Sequence, residues 1–542
     1  TYHSIYPNLT LMSLMTLKSL LTPTRTMKKL LIIPLLLLTI NLLAETQTTR
    51  IDKNLTIYTD VMRQLDINYV DTLNYDDLIE TSINYMLHKV DPYTMYIPKR
   101  EDDELRRMTQ GKYGGVGALI MYRDSNVYVN ELYEGMPAQL SGLLPGDRFV
   151  TVDGMDCTGK NTKEVSDRLR GKPGTTISIT LERDSQLITK EVTRRDIHLP
   201  AVGCATVLQD SIGYIFFNEF TTNSSHEFLT ALDEMVQTNG IKRLIIDLRG
   251  NGGGLIDEAI QIVGFFVPKD TEVVATKGKI ERSNHSYRTK TSPIFPNMPL
   301  VVLVNNQSAS ASEIVAGALQ DLKRATIVGE RTFGKGLVQN IRPIAYGGHL
   351  KVTTSKYYLP SGRCIQAIDY AERQRGHQLH RDTAGGILPD VVLTDSQKLD
   401  ITYNLYRDHL FFDYANRYYR QHPTIAPVTN FQLTDSDIES FCQFLDEKHF
   451  SYETETGRHL GELIDMAKQE DIDSTLLAEL EAFKPRLTVD YRAAIQRNRA
   501  EVEQLLGGEI IKRYYYHRGY YEYLLRYDKE LKQALEVIAQ SN

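Results

Sequence analysis

The sequence predicts an α/β core with mixed or parallel strand pairing, a smaller β module inserted ahead of it, and helical regions at both ends. Three observations carry this. Between Ile212 and Val328, apolar runs of strand length (Ile212 to Phe217, Leu244 to Leu248, Leu300 to Val304, Ala325 to Val328) alternate with segments of helical periodicity around residues 226–238, 256–266 and 311–322. From Tyr113 to Val192, glycine turns punctuate strand-like stretches. After Leu393 the composition turns helical and charged.

In chain order, residues 1–26 lack an initiating methionine and read as an over-extended reading frame or as residues foreign to the native chain. Met27-Lys-Lys precedes an apolar run, Leu30 to Leu43, that is short for a bilayer span and closes at Ala44, so residues 27–44 are expected to be a signal peptide. An uncleaved anchor is the competing reading, because Leu42 stands where a small residue is preferred. Residues 45–107 are expected to be helical, with Ile57, Val61, Leu65 and Ile79, Ile83, Met86 at helical spacing and Asp91-Pro-Tyr-Thr as the stop.

The whole chain, 542 residues with 42% hydrophobic and 24% charged content, suits roughly three to four globular domains of about 150 residues. Its net charge of -7 gives no basic signal for nucleic acid. Cys157, Cys204, Cys364 and Cys442 are spaced too widely for a zinc motif or a compact disulfide framework, and their pairing stays open.

Residues 108–195 contain, in order, Tyr113-Gly-Gly-Val-Gly-Ala-Leu-Ile, Gly135-Met-Pro-Ala, Ser141-Gly-Leu-Leu-Pro-Gly-Asp-Arg, Val152-Asp-Gly and Leu169-Arg-Gly-Lys-Pro-Gly. This series resembles a PDZ domain. Glycines before an apolar strand leave N–H groups for a peptide carboxylate, and the strand edge adds the peptide by β-augmentation. Gly115, Val116, Gly117 and Ala118 are the expected peptide-binding loop.

The stretch Asn305 to Gln339 concentrates the candidate chemistry. An apolar strand ends in Ser308-Ala-Ser-Ala-Ser-Glu, a helix follows, then a short strand and the turn Gly334-Lys335-Gly336. This order resembles the C-terminal processing peptidases, or tail-specific proteases, serine peptidases that use a Ser-Lys dyad, and the likeness runs from about Asp91 to about Leu393. It implies Ser310 as nucleophile, Lys335, twenty-five positions on, as base, and Gln339 as a third site residue. Serine needs a base, and lysine serves if burial depresses its pKa. If Lys335 to Gln339 is extended, even spacing puts the Gln339 amide on the lysine's face. An acyl-transfer site also needs oxyanion donors. The Ala311 N–H at the helix start is one. The second is expected from Asn251-Gly-Gly-Gly, with Gly253 favoured, since the segment around it resembles the family's Asp-Leu-Arg-x-Asn-Gly-Gly-Gly element.

Other motifs fail on detail. Gly329-Glu-Arg-Thr-Phe-Gly-Lys nearly matches a P-loop but has Gly336 where Ser or Thr would hold magnesium. Gly250-Asn-Gly-Gly-Gly-Leu carries Leu255 where a dinucleotide fingerprint wants Gly or Ala. His226-Glu lacks a second histidine, His377 with His380 is only a pair, and no Gly-x-Ser-x-Gly elbow surrounds Ser310. The tyrosine-rich Lys512 to Tyr527 reads as a packed or dimerising helix rather than an RNA surface, given its acidic neighbours.

The expected organisation is a PDZ domain over 108–195, an α/β peptidase core over 196–395 and a helical region over 396–542. The expected function is an exported serine endopeptidase, in the periplasm or cell envelope of a bacterium, acting on proteins or peptides with free C-termini. No metal or cofactor and no nucleic acid is implied; a homo-oligomer and an activating or adaptor protein are left open. A non-catalytic PDZ adaptor or chaperone on a peptidase-like core is the rival reading, and an ATP-dependent enzyme using the near P-loop is another.

Overall fold

Leu300-Val-Val-Leu-Val is apolar at every position and buried at every position, as a strand must be when both faces of its sheet are covered. In this computed structural model, which describes residues 47–542 apart from 102–105, 108–109, 210, 371, 373–384, 394–400, 453, 471, 488 and 541–542, that strand lies within a six-stranded sheet. It pairs in parallel with Arg243–Asp247 on one side and Thr326–Gly329 on the other. Ile212–Phe217 and Val391–Val392 extend the parallel run, and Val202–Leu208 adds an antiparallel edge, so the sheet is mixed as expected. The expected signal segment and His377 and His380 lie outside the described residues.

Helices Ser224–Asn239, Ile256–Gly264 and Ala311–Asp321 cover one face through Phe228, Leu232, Val263, Ile314 and Val315. The opposite face is covered from the far end of the chain. Leu531, Ala534 and Ile538 of helix Lys529–Ala539 recur at helical spacing and pack on Tyr214, Ile245, Val301, Leu303 and Val328. A second, antiparallel sheet runs Met95–Ile97, His349–Tyr358, Glu272–Gly278 and His285–Arg288, with Leu337–Pro343 also on the long central strand.

The inserted module is an antiparallel sheet in the order Ala118–Arg123, Asn126–Leu132, Arg148–Val152, Thr176–Arg183 and Gln186–Thr193. Its helix Thr162–Leu169 opens with a capping box in which the Asn161 and Glu164 side chains each accept the other's N–H at 3.0 Å. The chain enters and leaves the module through one antiparallel pair, Lys112–Gly115 with Arg195–His198. The N-terminal unit, residues 47–82, is helical as expected, but Met95–Ile97, inside the 45–107 span expected to be helical, is a strand that pairs with His349–Tyr358. Within it the Tyr58 and Ser82 hydroxyls are 2.6 Å apart, and Ile51, Leu55, Ile57, Val61 and Ile67 are each more than half exposed.

The tyrosine-rich stretch is spent on packing. Tyr523 is fully buried and Tyr515 donates to the Ala426 carbonyl, while Tyr516, at φ 52°, interrupts the helix. Among the described residues, no helix is long and apolar enough to cross a membrane.

The last helix is anchored by charge as well as by area. Arg249, just past the Arg243–Asp247 strand, bonds the buried Asp247 at 3.0 Å and reaches Asp528 at 3.1 Å and Glu530 at 2.6 Å. Asp528 caps the helix by accepting the Leu531 N–H at 2.8 Å. Arg249→Met leaves these carboxylates together without their cation, so unfolding in urea is expected to show a loss of about 3–5 kcal/mol. An unchanged midpoint would show that the network does not hold the helix.

Candidate active site

Ser310 stands between the Asn305–Ala309 turn and the helix, at φ 57° and ψ -114°. Positive φ is costly for a residue with a Cβ, on the order of 1–3 kcal/mol, and persists only where neighbours over-determine it. Here they do. The Ala309 N–H donates to the Asn251 carbonyl at 3.0 Å, the Ser308 hydroxyl donates to the Leu248 carbonyl at 2.8 Å, and the Ser312 hydroxyl donates to the Asn251 carbonyl at 2.9 Å. The outer two serines of the run therefore have their hydroxyls committed to main-chain carbonyls. Ser310 instead lies beside the buried Tyr357, on the second sheet.

Lys335 arrives on a loop that passes close to neighbouring backbone. A Cβ on Gly334 would sit 2.4 Å from Ala367 Cβ, and one on Gly336 would sit 2.4 Å from the Gln366 nitrogen. The strand Leu337–Pro343 follows where a P-loop would open a helix.

Glu313 joins the two loops. It is fully buried, three residues into the helix. Its Oε1 accepts the Thr332 hydroxyl at 2.6 Å and the Gly334 N–H at 2.7 Å, and its Oε2 accepts the N–H groups of both Ser310 and Lys335 at 2.9 Å. One oxygen thus brings the backbones of Ser310 and Lys335 within two hydrogen-bond lengths of each other. Burial pushes the Glu313 carboxyl up, and these four donors work against that rise. Burial also pushes the Lys335 amine down to about 8, helped by Lys351 and opposed by Glu313 and Asp91.

Of the expected oxyanion donors, Ala311 is at the first helical position, where an N–H has no acceptor within the helix. Gly253 lies against it. At φ 100°, a Cβ there would fall 2.6 Å from the Ala309 carbonyl oxygen and 2.8 Å from the Ala311 nitrogen. The Gly253 N–H, however, donates to Asn251 Oδ1 at 2.8 Å, so it is engaged in this state. Gln339 departs from the even-spacing argument as well. The strand begins at Leu337, after the lysine, and the register shifts between Val338 and Gln339. The Gln339 amide donates to the Leu337 carbonyl at 3.1 Å and to the Thr353 hydroxyl at 3.4 Å.

The expected peptide loop divides. Gly115 belongs to the connecting strand pair, Val116 and Gly117 form the turn, and Ala118 opens the strand at the sheet's edge. The Val116 and Gly117 carbonyls accept the N–H groups of Ala138 at 2.8 Å and Tyr133 at 3.2 Å. Because each trans peptide opposes its C=O and N–H, the Gly117 and Ala118 N–H groups point the other way.

Sequence reasoning passed over Glu313 as a working residue, although Ser310-Ala-Ser-Glu313 is the Ser-x-x-Glu pattern of a helix start. It also passed over Tyr357, for which no spacing signal exists.

The chain matches the model of Peptidase family S41 over residues 211–392, that of a PDZ domain over 128–183, and that of a probable PDZ-protease, C-terminal helical domain over 401–538. It is 35% identical over 347 residues to a carboxy-terminal-processing protease of Bartonella bacilliformis, covering 63% of this chain and 75% of that relative. It is 32% identical over 345 residues to a probable CtpA-like serine protease of Staphylococcus haemolyticus, covering 63% of this chain and 65% of that relative. Among solved structures, a photosystem II D1 C-terminal processing protease is 30% identical, with 60% of this chain and 84% of that one covered and a TM-score of 0.36. With its peptidase core, PDZ domain and C-terminal helices, the chain belongs to the carboxy-terminal-processing protease family and is a serine-type peptidase.

Proposed function

We propose that this peptidase is an exported endopeptidase that selects substrates by their free C-terminal tails through the PDZ domain and cleaves them with a Ser310–Lys335 dyad. The single observation that carries the dyad is the Glu313 oxygen shared by the Ser310 and Lys335 N–H groups at 2.9 Å. In this reading the Lys335 amine takes the Ser310 proton as the hydroxyl attacks the scissile carbonyl. The Ala311 N–H stabilises the oxyanion, and a second donor near Gly253 requires that glycine to release Asn251. The tetrahedral intermediate collapses to an acyl-enzyme, Lys335 returns the proton to the leaving amine, and water then releases the acyl group by the same route. Gln339 supports the site through the strand beneath the lysine. The PDZ domain over about 108–195, the core over 196–395 and the helical region over 396–542 are the units proposed to share this work. The export reading rests on the Met27 to Ala44 pattern, and a bacterial cell envelope or periplasm is the location it suggests.

The adaptor alternative is disfavoured by the committed hydroxyls of Ser308 and Ser312, which leave Ser310 alone of the three free of a carbonyl, and by the burial that pushes the Lys335 amine down to about 8.

Ser310→Ala is expected to lower peptide hydrolysis by about 1000-fold or more with the fold retained, and Ser308→Ala to retain hydrolysis. Lys335→Arg is expected to be as inactive as Lys335→Ala, because arginine stays protonated. A lysine of lowered pKa is protonated below its midpoint and free above it, so the wild-type rate should rise with pH, half-maximal near 8. An active Lys335→Arg enzyme, or a rate independent of pH from 6 to about 10, would contradict the base role.

Amidating the C-terminus of a good peptide substrate removes the carboxylate that the Gly117 and Ala118 N–H groups are proposed to hold, and binding measured by titration should weaken at least about tenfold. Equal binding of acid and amide would remove tail selection from the account.

A further inference from the structure

The turn at Asp91-Pro-Tyr-Thr, which the sequence presents only as a helix stop, reaches the peptidase site. Asp91 is buried. Its Oδ1 accepts the N–H groups of Tyr93 at 2.8 Å and Thr94 at 2.7 Å, and its Oδ2 accepts the Thr94 hydroxyl at 2.9 Å. Thr94 in turn accepts the Thr353 N–H at 3.3 Å, and Met95–Ile97 pairs with the same long strand, so the turn is fixed to the sheet that also carries Leu337–Pro343. This places the Tyr93 ring beneath the Lys335 amine, with Nζ 4.7 Å from the ring centroid. The ring is itself steadied edge-on by Tyr370, at 6.1 Å and 85°.

We propose that Tyr93 is a positioning residue for the peptidase reaction, whose ring face aims the Lys335 side chain and keeps water off its amine so that free amine is present to accept the serine proton. The inference rests on Lys335 acting as base. Two opposing effects meet at this contact. A ring face favours the ammonium, whereas exclusion of water favours the free amine. The charged and titratable groups around Lys335 are Glu313 from the helix and Asp91 from the turn, which favour the ammonium, Lys351 from the long strand, which disfavours it, and Tyr93 itself. The amine lies below its ordinary value despite two carboxylates, with burial as the largest cause.

The test reads Lys335 directly. In the Ser310→Ala protein, the pH dependence of trace acetic anhydride labelling at Lys335, followed by mass spectrometry, gives the amine's midpoint without requiring activity. Tyr93→Ala is expected to raise that midpoint by at least one pH unit. In the Ser310-containing enzyme the same change should lower kcat at pH 7.5 tenfold or more with a smaller change in KM. Tyr93→Phe, which keeps the ring, should restore both the midpoint and kcat. Tyr93→Gln, which puts a hydrated chain in the same space, should shift the midpoint as alanine does, so the result stands on either variant if one fails to fold. A midpoint unmoved or lowered without the ring would overturn the proposal, as would Tyr93→Phe behaving like Tyr93→Ala. Failure of the base assignment would show separately, as a wild-type activity limb that does not coincide with the labelling midpoint of Lys335.

Discussion

A buried carboxylate is the constraint on which the site depends. Removing Glu313 from water costs several kcal/mol unless its oxygens are satisfied. Each of the four donors around it contributes on the order of 1.5–3 kcal/mol as a hydrogen bond to a charged group. The donors come from three places: the serine turn, the lysine loop and Thr332. None of these segments can shift alone without stranding a charge, and the position three residues into a helix adds the favourable field of the helix N-terminus. The strained backbone of Ser310 is tolerable for the same reason, since its N–H is one of the groups being held.

The sheet beneath carries this arrangement to the rest of the chain. Arg249 lies where the Arg243–Asp247 strand runs into the glycine loop, and its guanidinium is shared with Asp528 and Glu530 of the last helix. The same helix covers the apolar face of the strand that leads into the serine turn. The C-terminal helices also grip the PDZ module, through the fork of Arg123, on its edge strand, onto Asp413 at 2.8 and 3.0 Å and the stack of His517 on Tyr133, just past the neighbouring strand. One helical region is thus bonded both to the loop beside Ser310 and to the edge strand of the PDZ sheet.

Much of this was legible in the residues. The alternation of apolar runs with helical segments located the core strands between Ile212 and Gly329, because a strand buried on both faces, as Leu300–Val304 is, must be apolar throughout. The serine run and the lysine twenty-five positions later marked the loops that Glu313 holds together. Other features depend on contacts that local pattern does not encode. An amphipathic helix at residues 529–539 announces a partner, but nothing in its spacing names Ile245 or Val301, nearly the whole core away in sequence. The register shift at Val338 and Gln339 defeats an argument from even spacing. The engagement of the Gly253 N–H by Asn251 is a competition between acceptors that only the folded loop decides. Tyr93 reads as turn punctuation until the second sheet brings it to Lys335.

The most direct test of the Glu313 constraint is Glu313→Gln. The substitution preserves shape but replaces one acceptor oxygen by an NH2 group, so in either orientation two of the four donors meet a donor. Peptidase kcat is expected to fall at least about 100-fold while circular dichroism and the sedimentation behaviour of the protein stay unchanged, as the lost charged hydrogen bonds imply. A Glu313→Gln enzyme that cleaves peptide at the wild-type rate would show that the serine and lysine are held in place by something other than this carboxylate.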